Sequence, residues 1–275
     1  MEEALLAASG SLVSFLRQGL DKHLDSERLA RAGMVLLGPS REPSTLDPLF
    51  LELADYLRSM QRRDGGWVDV EETAWCAAYM QKMPPAYWGA AAGARKWLEG
   101  QRHPGGGWGR SERDQPRIPY TAWVAILLPE LVDTQDLLWL EGATSREMVG
   151  KPVLTYKIAL PLIAFWQNSS ARPSNQLVET CISILAGAQN EDGGFGPWQN
   201  HPCGSDPWCT AVVSLSLLRY PELVSPTIIE RALGWILHHQ LQGGFWPYHY
   251  LDEGSALAYW ALRELAQWWQ KGRKS

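Results

Sequence analysis

The chain has 275 residues, 45% hydrophobic and 20% charged, which is enough apolar material for a large core. Its formal net charge is -5 and no basic run stands out, which argues against a nucleic-acid partner. No basic-plus-apolar leader and no long uncharged apolar stretch is seen, so a cytoplasmic protein is expected.

Taken in order, Ala4–Gln18 carries Leu5, Leu12, Phe15 and Leu16 at helical spacing. Leu24–Leu37 repeats the pattern with Leu29, Ala30, Ala32, Met34 and Val35, with Asp25 or Ser26 as N-cap and Gly38-Pro39 as a stop. Pro43-Ser44-Thr45 leads into a helix over Leu46–Gln61. Helices are then predicted over Val70–Lys82, Tyr87–Gln101 and Pro119–Leu131. Asp133–Leu140 reads as a short, weak helix, and Val153–Gln167 as a strongly apolar one interrupted at Pro161. Pro173–Gln189, Asp206–Tyr220, Pro226–Gln240 and Asp252–Trp269 complete the series.

One phrase punctuates these helices. Its fullest copy is Gln61-Arg62-Arg63-Asp64-Gly65-Gly66-Trp67, followed by Asp69-Val70-Glu71-Glu72-Thr73-Ala74-Trp75. The glycine half recurs around Gly106-Gly107-Trp108, Gly193-Gly194-Phe195 and Gly243-Gly244-Phe245. Gln61 and Gln101 are 40 residues apart, and Gln101 and Gln189 are 88 apart, about two periods. A degenerate copy therefore belongs between them, and the period marks a repeat architecture.

This makes six helix pairs. The first member of each is amphipathic. The second is apolar nearly all round, as in Thr210-Ala211-Val212-Val213-Ser214-Leu215, and must be buried on every side. Six buried helices ringed by six amphipathic ones predict an all-α fold, an α6/α6 toroid. Residues 1–275 are read as a single domain, with 1–45 an atypical first pair and 46–275 the repeats. The 15 tryptophans fit either a thick aromatic core or an aromatic-lined cavity. Cys76, Cys181, Cys203 and Cys209 read as reduced thiols.

At these residues the sequence resembles the squalene–hopene cyclase and prenyltransferase repeat superfamily. The glycine phrase is similar to the QW motif of terpene cyclases. Asp69-Val70-Glu71-Glu72-Thr73-Ala74 looks like the D-x-D-D-T-A motif of class II cyclases, with glutamates at the second and third acids. The resemblance implies that Glu71 protonates a linear isoprenoid, or its diphosphate, flanked by Asp69 and Glu72. It implies aromatic lining, for which Trp67, Trp75, Trp123, Trp208, Trp246 and Tyr248 are the candidates near second-member helix starts. The partner is an isoprenoid small molecule. No cofactor and no metal site is implied, and Mg2+ enters only with a diphosphate. Peripheral membrane contact and a protein partner stay open.

The same acids have a plainer reading. Asp69 is a good N-cap, and Glu72 three residues on completes a capping box. Under that reading the protein is a non-catalytic toroid, binding a lipid or a partner protein. His201, Cys203, Asp206 and Cys209 form a local cluster of zinc-ligand types, but they read as a loop histidine beside core thiols and not as a prenyltransferase centre.

Overall fold

The computed structural model describes residues 1–38, 47–168 and 173–272. Pro39, the Pro43–Thr45 lead-in, Leu46 and the start of the first repeat-bearing helix at that residue lie outside them. All regular structure among the described residues is helical. Twelve α-helices among the described residues fall in the expected pairs: α1 Glu2–Asp21 with α2 Ser26–Leu37, α3 Pro48–Met60 with α4 Val70–Gln81, and α5 Trp88–Gln101 with α6 Ile118–Leu127. They continue as α7 Thr134–Met148 with α8 Thr155–Gln167, α9 Asn175–Gly187 with α10 Pro207–Leu217, and α11 Pro226–His238 with α12 Leu251–Gly272.

Two expectations are corrected. The weak helix of Asp133–Leu140 is the first half of α7, which runs 15 residues to Met148. Leu137, Leu140, Ala143 and Thr144 are buried and continue one stripe, but Gly142 and Thr144 break the apolar pattern in the sequence. Pro161 does not interrupt α8, which runs through it with Ile158 to Phe165 all buried. Packing on every side holds a helix that its own propensity does not favour.

The chain forms two compact units, one of Val13–Leu140 and one of Met1–Leu12 with Glu141–Ser275. In the first, α4 packs against α2, α5 and α6. It is buried from Glu72 to Met80, as its apolar sequence requires. In the second, α10 packs against α8, α11 and α12, and is buried from Cys209 to Leu217.

The glycine turns repeat at the level of atoms. Gln61 Nε2 donates to Gly65 O at 2.7 Å and to Ala90 O, near the start of α5, at 2.9 Å. Gln189 does the same to Gly193 O and Ile228 O of α11, both at 2.9 Å. Gln240 donates to Gly244 O at 3.1 Å and to Ala4 O of α1 at 2.9 Å. Each glutamine thus ties its own turn to another first-member helix. The aromatic after each glycine pair folds back into the repeat. Its backbone N–H meets a hydroxyl of the second helix: Trp67 to Thr73, Trp108 to Thr121 and Phe195 to Thr210, all at 2.9 Å, and Trp246 to Ser255 at 2.8 Å. These bonds satisfy buried backbone donors that would otherwise cost about 1–3 kcal/mol each.

Candidate active site

The acidic cluster sits in the first turn of α4. Asp69 is the N-cap, and its carboxylate accepts from Glu72 N at 3.0 Å. The other oxygen accepts from Arg110 Nε at 3.2 Å. Negative charge at this end of a helix is favoured by the unpaired N–H groups.

Glu72 turns towards α2 and α3 and is buried. Its carboxyl is pushed up to about 7, first by burial and then by Asp69 and Asp25; hydrogen bonds from Ser26 and the Val68 backbone oppose the rise. The Val68 contact is one residue further back than a standard capping box reaches. The raised value has a stability consequence. Below about 4.5, the ordinary value, Glu72 carries a proton whether the chain is folded or not. As pH climbs to about 7, the unfolded chain ionises first and the folded state loses stability. Above that range the loss is complete, on the order of 2–3 kcal/mol. Glu72→Gln removes the ionisation and keeps an acceptor for Val68 and Ser26. Its melting temperature is expected to match wild type near pH 4 and to exceed it increasingly up to pH 8. Equal melting curves at pH 8 would refute the burial argument.

Glu71 reaches Arg31, further along α2, and lies near Tyr120 at the start of α6. Its Oε1 is 3.4 Å from Nη2 of Arg31, whose side chain is only 4% exposed. The same guanidinium lies over the Trp75 ring, 5.5 Å from its centroid. Trp75 follows Glu71 by one turn and packs on Trp123, with centroids 5.0 Å apart and planes at 52°. Its indole Nε1 is buried and has no hydrogen-bond partner among the described residues. From α6, Tyr120 has its phenol raised by burial and then by the charges of Asp69 and Glu71. The structure therefore brings Asp69, Glu71, Glu72, Trp75 and Trp123 together in one unit.

The other aromatic candidates are placed differently. Trp67 and Trp246 are fully buried, and their indole N–H groups donate to Leu57 O at 3.1 Å and Ile236 O at 2.7 Å. Trp208 is half-buried and stands edge-on to Tyr156 at 5.6 Å. Tyr248 is half-buried against His249 at 4.7 Å. Asp206 caps α10 through Cys209 N at 2.7 Å. His201 Nδ1 accepts from Cys203 N at 3.2 Å. All four cysteines are free thiols, and only Cys203 is exposed.

Sequence reasoning missed Arg31 and Glu27. Arg31 lies between Ala30 and Ala32 on a face read as apolar, and Glu27 stands four residues before it. A lone arginine inside an apolar stripe with a glutamate one turn earlier was the available signal.

The fold is that of the type II terpene cyclases, the all-α α6/α6 toroid expected from the repeats. The cyclase MstE from Scytonema, solved with its product merosterolic acid A, superposes with a TM-score of 0.74 at 16% identity, covering 96% of this chain and 98% of that one. The ent-copalyl diphosphate synthase from Streptomyces platensis gives 0.60 at 17% identity, covering 88% of this chain and 50% of that one. At such identities the likeness is one of fold. In sequence, the drimenyl diphosphate synthase of Streptomyces showdoensis is 26% identical over 246 residues, 78% of this chain and 44% of that protein. The chain spans less than half the length of this curated relative. No model of a known protein family matches it. The resemblance drawn from the glycine phrase and the acidic motif agrees with these relatives. Among the described residues no helix is long and apolar enough to cross a membrane.

Proposed function

We propose that the chain is a class II terpene cyclase-like enzyme that starts the cyclisation of a linear isoprenoid, or its diphosphate, by protonation. The observation that carries this reading is the position of Glu71: the acid at the motif's central place shares a face of α4 with Trp75, beside the Trp75–Trp123 pair. The proton on Glu71 forms a C–H bond with an alkene of the substrate. The resulting cation is closed on by the next alkene, and loss of a proton ends the reaction. The ring faces of Trp75 and Trp123 lower the cation's energy by about 0.5–2 kcal/mol each. Trp67, Trp208, Trp246 and Tyr248 are the further aromatic candidates. Asp69 holds the first turn in place. Glu72 retains a proton up to about 7, so the cluster is not fully charged at neutral pH.

The reaction is an isomerisation with no electron transfer, so no redox cofactor is needed, and Mg2+ acts only on a diphosphate. The likeness to a drimenyl diphosphate synthase makes a diphosphate the first substrate to try. The test is incubation with geranyl, farnesyl and geranylgeranyl diphosphates and with squalene, in water and in D2O, read by mass spectrometry. A cyclised product with the substrate's mass in water and one added deuterium in D2O is expected. Products that have lost diphosphate without taking up deuterium would point to ionisation chemistry. No conversion at all would favour a non-catalytic lipid-binding or protein-interaction module.

A further inference from the structure

Backbone hydrogen bonds fix the register of the glycine turns. Gly65 N donates to Arg62 O and Arg62 N to Gly66 O, both at 2.9 Å. Gly193 N to Asn190 O and Asn190 N to Gly194 O repeat this at 3.0 Å. In the last turn Gly244 N donates to Leu241 O and Leu241 N to Phe245 O, both at 2.8 Å. Phe245 therefore stands where the other turns have their second glycine. Trp246, the next residue, matches Trp67 and Phe195 in donating its backbone N–H to a hydroxyl of the second helix.

The helices that face these turns differ in the opposite sense. A Cβ on Gly66 would lie 2.5 Å from the Trp97 ring of α5, one on Gly107 2.9 Å from the Trp139 ring of α7, and one on Gly194 2.7 Å from the Trp235 indole of α11. In each, a tryptophan on the helix fills the space that a side chain on the turn would take. Trp97 and Trp235 come seven residues after Ala90 and Ile228, whose carbonyls bind the glutamines of those turns. Seven residues after Ala4, the carbonyl that binds Gln240, stands Ser11 of α1. Ser11 is indeed at the turn: its hydroxyl donates to Gly243 O. A second difference follows the first. Asp192 accepts from Gly194 N and from Trp235 Nε1, both at 2.9 Å, and Asp64 accepts from Gly66 N at 3.1 Å. The last turn has Gly243 at that place. At this joint the bulky residue has moved from the helix to the turn, and the aspartate is gone.

We propose that Ser11 and Phe245 are a reciprocal pair that makes the last turn a docking site specific for the Met1–Leu12 segment of α1. Repeats built on one plan present similar faces, and any first-member helix could in principle settle on any turn. The exchange separates them. A tryptophan-bearing helix on the last turn would bring two large rings into one volume, and packed interiors do not absorb that. Met1–Leu12 on any of the other turns would set Ser11 against a glycine and leave a cavity the size of a tryptophan side chain. One pair of substitutions thus favours the right partner and penalises the wrong ones, which is what specificity requires.

The test is a double-mutant cycle on the full chain, read by thermal melting. Ser11→Trp sets a tryptophan against Phe245, and Phe245→Gly leaves Ser11 facing a glycine. Each alone is expected to lower the melting temperature by roughly 5 °C or more. Together they rebuild the arrangement of the other joints, and the double variant should recover at least half of the summed loss. A gentler pair, Ser11→Leu with Phe245→Ala, should show the same sign of coupling. Should Ser11→Trp alone fail to fold, a folded double variant is the same result. Losses that simply add in both cycles would overturn the pairing. Wild-type melting of Ser11→Trp would overturn it as well, since the last turn would then accept a tryptophan-bearing helix.

Discussion

Glu71→Gln should purify as a folded protein and lose cyclase turnover by at least about a hundredfold, the scale set by removal of a general acid. Gln still offers an oxygen to Arg31, so the contact between α2 and α4 survives and melting should change little. What is lost is the transferable proton. Glu71→Asp should keep part of the activity. It restores the acid type that the class II motif has at this place but draws the carboxyl back by about one methylene, and positioning at that scale matters to rate. Full turnover in Glu71→Gln would remove Glu71 as the donor and turn attention to Glu72.

The second large effect lies in the glycine turn. Gly65→Ala is expected to destabilise the fold by about 3 kcal/mol or more, lowering the melting temperature by roughly 6–12 °C. Two terms combine. Gly65 has φ +96°, where a side chain is strained. A Cβ there would also lie 2.5 Å from Gly93 O, a backbone atom of α5 that cannot turn aside. By contrast Gly89→Ala meets nothing within 4 Å and lies inside α5, so it should be neutral or stabilising. Equal melting temperatures for the two variants would show that the turn yields more easily than its geometry implies.

These two cases show what could be read in advance. The turn was legible because the same few atoms solve the same problem in several repeats: a glutamine amide, a glycine at positive φ and an aromatic folded back. A recurring solution leaves a recurring spelling. The acidic cluster was legible as a motif, since Asp69, Glu71 and Glu72 are neighbours in sequence. Their division of labour was not. Glu72 owes its raised carboxyl to burial and, through charge, to Asp69 and to Asp25 of the α2 cap. Glu71 owes its surroundings to Arg31 on α2 and Tyr120 near the start of α6. Those partners are tens of residues away and are brought in by helix packing. The length of α7 was missed for a related reason, because Gly142 and Thr144 look like helix-weakening residues until the burial of Leu140, Ala143 and Thr144 is seen.

The hydrogen bond from Gln240 to Ala4 O bears on how the chain is born. One unit is continuous in sequence, Val13–Leu140, and can mature as soon as it leaves the ribosome. The other needs Met1–Leu12 together with residues from Glu141 onward, so that short segment waits for partners that are made much later. During synthesis Leu12 and its buried neighbours must wait, exposed or held by a chaperone. Hydrogen exchange on stalled chains should therefore show α4 protected while Met1–Leu12 is still open, and that segment should close only after Gln240 has emerged.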